Sequence, residues 1–412
     1  MLNLYIKERN DRLLMIKKCF SLIVKLDNIV LKNHIFQAIF SAMRQTLPVL
    51  AIDVYLRLLF ILFLAPNALF SVIFNINLKI TGLQIILSIL DVVILMIFAA
   101  ALTNNYLIYR GIKNNILPIL TNFLATYLLF TVNTQNFSHN VSQYLVVTVL
   151  TLLSSEAYYQ YQRLFRKNLQ PYSARFLIWS AFILTLYFLV QPYVQQTTLQ
   201  LLISNILSSN FFTTFVGLLL VGACAPVLYW LGIALPNELT SNQTTINAVV
   251  KNLDVILKNT HATLPYPENL YSVYGTFSLL GGIGNTLAIS FLLLFMSSKR
   301  KQNLGLLSIF PSLFNNNQLL YFGLPLFLRP LMLVPMILSS IAGTLVGYVA
   351  IATHLIKPAV LVIPNNAPNL LTAFLGSGKL SSLIVVAIVF GLTILIYKPF
   401  IELDNAEVQN EK

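Results

Sequence analysis

Long apolar runs recur along the whole chain and constrain it more than any motif. Stretches near 46–66, 84–103, 114–132, 143–162, 176–195, 211–234, 274–296, 326–350 and 381–400 are each dominated by Leu, Ile, Val, Phe and Ala. A helix needs about 20 such residues to cross the hydrocarbon core of a bilayer. Backbone groups in lipid must be paired within the chain, so the runs read as helices rather than strands. Charged residues make up only 9% of the sequence and apolar ones 57%, against roughly a quarter charged in a soluble domain. The expected fold is all-α and integral to the membrane, with about ten membrane helices and two re-entrant hairpins in the second half.

The net charge of +13 would point to nucleic acid in a soluble protein. Here the basic residues sit mostly at ends and in short loops, where they act as topology signals, and no nucleic-acid partner is expected. Lys7, Arg9, Arg12, Lys17, Lys18, Lys25, Lys32 and Arg44 precede the first full run and place the N-terminus in the cytoplasm. Arg110 with Lys113, and Arg163 with Arg166 and Lys167, fall where an up-and-down chain returns to the same side. No cleavable signal peptide is evident, because the basic start is followed by an interrupted pattern. Leu13, Ile16, Phe20, Ile23, Val24, Val30 and Phe40 share a broad face between 13 and 43, which reads as an amphipathic helix on the cytoplasmic surface in preference to a first span. The division expected is 1–43 as this segment, 44–197 as a first helical bundle, 198–402 as a second half and 403–412 as a cytoplasmic tail.

Simple alternation through the seven runs up to 274–296 leaves Lys299, Arg300 and Lys301 outside, against the positive-inside rule. Either 241–260 also crosses, or a segment enters and leaves on one side. Re-entrant backbone is tolerated where it is buried in protein and lines a polar cavity, and short interrupted apolar segments often mark substrate sites. Two segments fit: 302–323, with Asn315 to Gln318 at its tip, and 357–376, which holds Pro364-Asn365-Asn366-Ala367-Pro368.

Few residues inside the runs carry chemistry. Asn315, Asn316, Asn317 and Gln318 supply donors and acceptors on one loop, as a cleft for hydroxyl-rich ligands requires; a solvated turn is the plainer alternative. Asp53 and Arg57, four residues apart, share a helix face and neutralise each other. Asp91 has no local partner, and an interhelical hydrogen bond is preferred to a proton relay there. Arg329 either joins a salt bridge in the bundle or reaches the interface. Gly281, Gly282 and Gly284 suit close helix packing and approach of backbone to ligand, not a phosphate cradle. Trp179 and Trp230 read as interfacial or packing residues. Cys19 and Cys224 make no framework, and no metal or cofactor motif is present.

Six short stretches, in order, resemble the membrane-embedded sugar permease (IIC component) of the bacterial phosphotransferase system, of the lactose, cellobiose and diacetylchitobiose type. They are Asn33 to Ile39 through Leu47-Pro48, Glu156-Ala157-Tyr158 with Arg163 and Lys167, Gly281-Gly282-Ile283-Gly284-Asn285-Thr286-Leu287, Gly323-Leu324-Pro325, Ile363-Pro364 to Phe374-Leu375, and Ile396-Tyr397-Lys398-Pro399-Phe400. Residues 314–330 are similar to the family's Phe-Asn-Ile-Asn-Glu-Pro frame, but Gln318 stands at the Glu, Leu319 at the Pro and Arg329 at a closing Asn. Gly232-Ile233-Ala234 aligns with the family's Gly-Ile-His, so Ala234 replaces its His; Glu238 is near enough in sequence to substitute, although a solvated helix-start acid is the plainer account. The resemblance implies a multi-pass homodimer in the bacterial cytoplasmic membrane with both termini cytoplasmic. Its first five spans would make the dimer contact and its second half the sugar cleft. A phosphocysteine-bearing IIB component, supplied by a IIA component, would deliver phosphate to the bound sugar. The site expected is Asn237, Gly282, Asn315, Asn317, Gln318, Asn365 and Asn366, holding a disaccharide or small glycoside, with no catalytic residue and no cofactor of its own. The alternative is a degenerate homologue that binds a sugar or partner without phosphotransfer, as sensor, facilitator or regulatory subunit. A polytopic enzyme is the weakest reading, since the runs hold no cluster of acids or histidines.

Overall fold

The computed structural model describes residues 20–64, 74, 82–112, 116–130, 141–164, 174–195, 203, 205–207, 209–233, 235, 243–259, 263–296, 298–363 and 367–410. Every regular element among them is helical. Helix α1 spans 20–32. Asn33 ends it and caps the next helix through Oδ1, which accepts from Ile35 N, the usual device for an orphan N–H at a helix start. Helix α2 (His34–Leu59) runs on through a π turn, Phe60–Leu64, so the first span begins well before the run that hydropathy marks. Then come α3 (Leu83–Tyr109), α4 (Ile116–Phe130), α5 (Val141–Leu164) and α6 (Ala174–Gln195). The second half holds α7 (Phe215–Trp230), α8 (Gln243–Lys258), α9 (Leu287–Leu293), α10 (Lys299–Leu313), α11 (Gln318–Gly323), α12 (Pro330–Ala352), α13 (Asn369–Ser377) and α14 (Ser381–Asn410).

Among the described residues, five helical stretches are long and apolar enough to cross a membrane: His34–Leu64, Leu83–Tyr109, Ala174–Val194, Pro330–Ala352 and Ser381–Asp404. Two shorter apolar helices, Ile116–Phe130 and Phe215–Trp230, accompany them. Much of this apolar surface faces outward; on α6, Ile178, Phe182, Phe188 and Leu189 are each more than 60% exposed. Such a surface is stable only against lipid or another protein. The chain is a multi-pass membrane protein.

In the first half α3 is central, packing on α2, α4 and α5, while α6 packs on α4. Several of its polar groups pair between helices. Arg57 donates from Nε to Asp53 Oδ2 at 2.9 Å and also pairs with Asp91 of α3. The i,i+4 pair read from sequence is therefore a triad, and Asp91 takes an interhelical ion pair rather than a neutral hydrogen bond. Asn122 Nδ2 donates to Thr103 Oγ1 at 2.8 Å, and its Oδ1 accepts from Ser154. Trp179 is buried against Tyr158, with ring centroids 4.9 Å apart, so it packs rather than marking the interface.

In the second half the run near 274–296 is not a continuous span. It is a π turn (Tyr271–Gly275), an irregular stretch and the seven-residue α9. Gly281, Gly282 and Gly284 have φ of 86°, 101° and 84°, and Asn285 has φ 53°. Left-handed backbone cannot continue a right-handed helix. A Cβ on Gly281 would lie 2.2 Å from Leu287 N, so close approach as well as conformation demands glycine there.

Both segments expected to be re-entrant turn back on themselves. Lys301, near the start of α10, donates to Asp404 Oδ2 at 2.6 Å; Arg329, just before α12, pairs with Asp404 Oδ1 at 2.5 Å. Residues 302–328 thus leave and return to one carboxylate. Fifteen residues of helix reach about 22 Å, short of a hydrocarbon core of about 30 Å, so α10 turns back at 314–317 instead of crossing. The second excursion folds on itself: Val360 N and Leu361 N both donate to Gly376 O. Asp27 of α1, fully buried, accepts from Arg329 Nη2 at 3.1 Å and from Leu331 N. Lys301, Asp404 and α1 therefore share one end of the bundle. Single-cysteine labelling at the exposed positions 300 and 402 in intact cells should find both reactive from the same side; opposite sides would refute this topology.

Candidate functional site

The break at 281–286 and the tip of the first hairpin meet in the core of the second half. Asn317 is 6% exposed. Its Oδ1 accepts from the Tyr229 hydroxyl of α7 at 2.6 Å, and its Nδ2 donates to Thr286 Oγ1 at 3.3 Å. Thr286 in turn donates to Gly281 O at 2.5 Å. This directed chain, from phenol to amide to hydroxyl to loop carbonyl, locks the Asn317 rotamer. A carboxamide has two acceptor and two donor positions, so Asn317 keeps one of each for a ligand. Gly282 lies directly beneath: a Cβ there would sit 2.8 Å from Asn317 Nδ2 and 3.4 Å from Asn315 O. Bare backbone is what allows the loop and the tip to touch.

Asn315 holds φ 59°, a conformation that Asn tolerates better than most side chains. Its Oδ1 accepts from Asn369 Nδ2 of α13 at 2.8 Å, which joins the tips of the two hairpins. Ile363 N donates to the Tyr271 hydroxyl at 2.7 Å and ties the second hairpin to the π turn. Gln318 opens α11; its N–H is taken by Asn316 Oδ1, and its own Oε1 is buried with no hydrogen-bond partner among the described residues. Tyr321 stacks edge-on against Tyr229, with centroids 5.0 Å apart, and donates to Tyr229 O. Behind the loop, Ser339 and Tyr397 both donate to Gly284 O, and Asn285 bonds Leu280 N and Ser339 O. The bonds named here join amides, hydroxyls and backbone groups, without an ionised side chain.

Four of the seven residues expected from sequence, Gly282, Asn315, Asn317 and Gln318, come together here. Asn237, Asn365 and Asn366 lie outside the described residues, as do Ala234 and Glu238. Tyr229, Thr286, Tyr321 and Asn369 were not anticipated. Thr286 lies in the glycine-rich stretch and could have been found there. Tyr229 lies 88 residues from its partner, and nothing local marks it. Arg329 joins the buried ion pairs with Asp27 and Asp404 instead of reaching the interface. Trp230 Nε1 donates to Arg329 O at 2.9 Å, which makes it a packing residue as expected.

No protein-family model matches the chain. Curated relatives do. The lichenan permease IIC component of Bacillus subtilis (strain 168) is 30% identical over 136 residues, 32% of this chain and 30% of that protein. The oligo-beta-mannoside-specific EIIC component of the same organism is 30% identical over 136 residues, 31% of its own length. The cellobiose-specific EIIC component of Lactococcus lactis subsp. lactis (strain IL1403) is 29% identical over 228 residues, 52% of this chain and 46% of that protein. The matched stretches thus span less than half of each of these relatives. The crystal structure of the transporter ChbC, the IIC component from the N,N'-diacetylchitobiose-specific phosphotransferase system, aligns over 93% of this chain and 96% of its own at 19% identity and a TM-score of 0.43. Over the matched stretches the chain is similar in sequence to permease (IIC) components of the sugar phosphotransferase system.

Proposed function

We propose that this chain is the permease subunit of a sugar phosphotransferase system, binding a disaccharide or small glycoside among Gly282, Asn315, Asn317 and Gln318. The observation that carries the reading is the meeting of a glycine-broken segment with an amide-rich re-entrant tip. Discontinuous segments inside a membrane bundle are where transporters build substrate sites, and prepositioned amides with unused donor and acceptor positions match hydroxyl groups. The sugars in the relatives' names, lichenan, oligo-β-mannosides and cellobiose, belong to one chemical class, β-linked glucosides and mannosides. In this reading IIB and IIA components supply phosphate from the cytoplasmic side, the first half carries the homodimer contact, and the end of the bundle that holds Asp27, Lys301 and Asp404 is cytoplasmic. The basic residues 299–301 support that orientation through the positive-inside rule.

The test is equilibrium binding of cellobiose, lactose and N,N'-diacetylchitobiose to the full chain in lipid nanodiscs. At least one should bind, and Asn317→Ala or Gln318→Ala should weaken it by about 1–3 kcal/mol, the cost of stranding a buried polar partner. Unchanged affinity in both variants would move the site elsewhere.

A further inference from the structure

Asn369, the first residue of α13, is 3% exposed. Its amide can sit only one way round. Nδ2 donates to Ser312 O and to Asn315 Oδ1, each at 2.8 Å; turning the group over would set oxygen against a carbonyl that cannot donate. Oδ1 is therefore the atom left over, buried and without a hydrogen-bond partner among the described residues. Buried polar atoms in native proteins are rarely left so. Gln318 Oε1 at the neighbouring tip is a second buried acceptor in the same condition. Two stranded acceptors in one cluster need donors. A neutral polyhydroxylated ligand brings many O–H groups, whereas a carboxylate or phosphate brings further acceptors and a charge to be buried without a paired cation.

We propose that Asn369 is a ligand-contacting residue whose Oδ1 accepts a hydrogen bond from a hydroxyl of a neutral glycoside, with Gln318 Oε1 accepting a second. The assignment rests on the glycoside reading above and adds Asn369 to the binding surface. It also selects the substrate class: neutral sugars in preference to uronic acids or sugar phosphates. Because the same amide holds Asn315, contact at Oδ1 is made by a side chain already fixed by both hairpins.

The experiment measures calorimetric binding to the full chain in nanodiscs, using cellobiose, its complete set of monodeoxy analogues and cellobiuronic acid. The wild-type chain should bind cellobiose, should bind at least one monodeoxy analogue about tenfold more weakly, and should bind the uronic acid more weakly than cellobiose. Asn369→Ala should weaken cellobiose about tenfold more than it weakens that one analogue, because the partner lost at Oδ1 is already missing there while the loss of the Nδ2 bonds to Ser312 and Asn315 falls on both alike. A uniform loss across all analogues, or wild-type affinity for cellobiose in Asn369→Ala, overturns the assignment. So does preference for the uronic acid. Should Asn369→Ala fail to fold by thermal melting, Asn369→Ser takes its place under the same criterion. Failure of the wild-type chain to bind cellobiose, lactose and N,N'-diacetylchitobiose refutes the glycoside reading itself, an outcome distinct from wild-type binding with an indifferent variant.

Discussion

Arg329→Asn, which restores the residue type that the resembled family carries at this position, should lower stability by about 3–5 kcal/mol, the cost of breaking a buried ion pair from one side. The side chains of Arg329, Asp27 and Asp404 are 5%, 0% and 4% exposed. Among the described residues, removing the guanidinium leaves Asp27 with only Leu331 N as a donor and leaves Asp404 to Lys301 alone. An uncompensated carboxylate in so dry a setting is the expensive species, not the missing contact. Arg329→Asn with Asp27→Asn should therefore recover more than half of the loss, since the remaining Asp404 and Lys301 are charge-balanced. The check is reversible unfolding of nanodisc-embedded protein, read as a double-mutant cycle over the four species. A double variant no better than Arg329→Asn would show that the guanidinium acts through packing and not through charge. The cluster joins α1, α10, α12 and α14, so its loss should also free α1; reactivity of a cysteine at position 23, where Ile23 packs on the core, should rise in the background of Arg329→Asn.

What the sequence made legible follows the range of the interactions. Apolar runs announced most of the spans, because lipid demands a fixed length of apolar helix. Asp53 and Arg57 were legible as a pair because four residues is one helical turn. The re-entrant segments were legible through charge parity at Lys299 to Lys301, a rule about topology and not about contact. Hidden from sequence were partners set by the tertiary fold: Arg329 and Asp27 are 302 residues apart, Tyr229 and Asn317 88, and Asn369 and Asn315 54. The break at 281–286 was missed for another reason. A hydropathy average treats glycine as mildly apolar, while the backbone uses Gly281, Gly282 and Gly284 for φ values that end a helix. The glycines were read as packing positions. They are packing positions, and they are also the reason the segment is not a span.

The largest change expected in activity comes from restoring the two proton-handling groups that the resembled family carries and this chain lacks. Gln318→Glu with Ala234→His should raise phosphorylation of cellobiose by IIB and IIA components of a cellobiose system about 10²–10⁴-fold, the usual worth of general-base assistance. Phosphoryl transfer needs the sugar hydroxyl oriented and its proton removed. Gln318 can accept the hydroxyl's hydrogen bond, but an amide cannot take the proton. Its Oε1 is buried without a hydrogen-bond partner among the described residues, so in this reading the position is open to a ligand hydroxyl. Either single change should do less than its share, because groups acting as a unit are not additive. The assay is label transfer to added cellobiose in membranes carrying the wild-type chain, each single variant and the double variant, with sugar binding measured alongside to separate affinity from chemistry. The wild-type lane decides between the two functional readings. Rapid phosphorylation by the unmodified chain would show that Gln318 and Ala234 suffice and would defeat the degenerate alternative. Binding without phosphorylation, reversed by the double variant, would establish a sugar-binding homologue that has lost its coupling to phosphate through these two side chains.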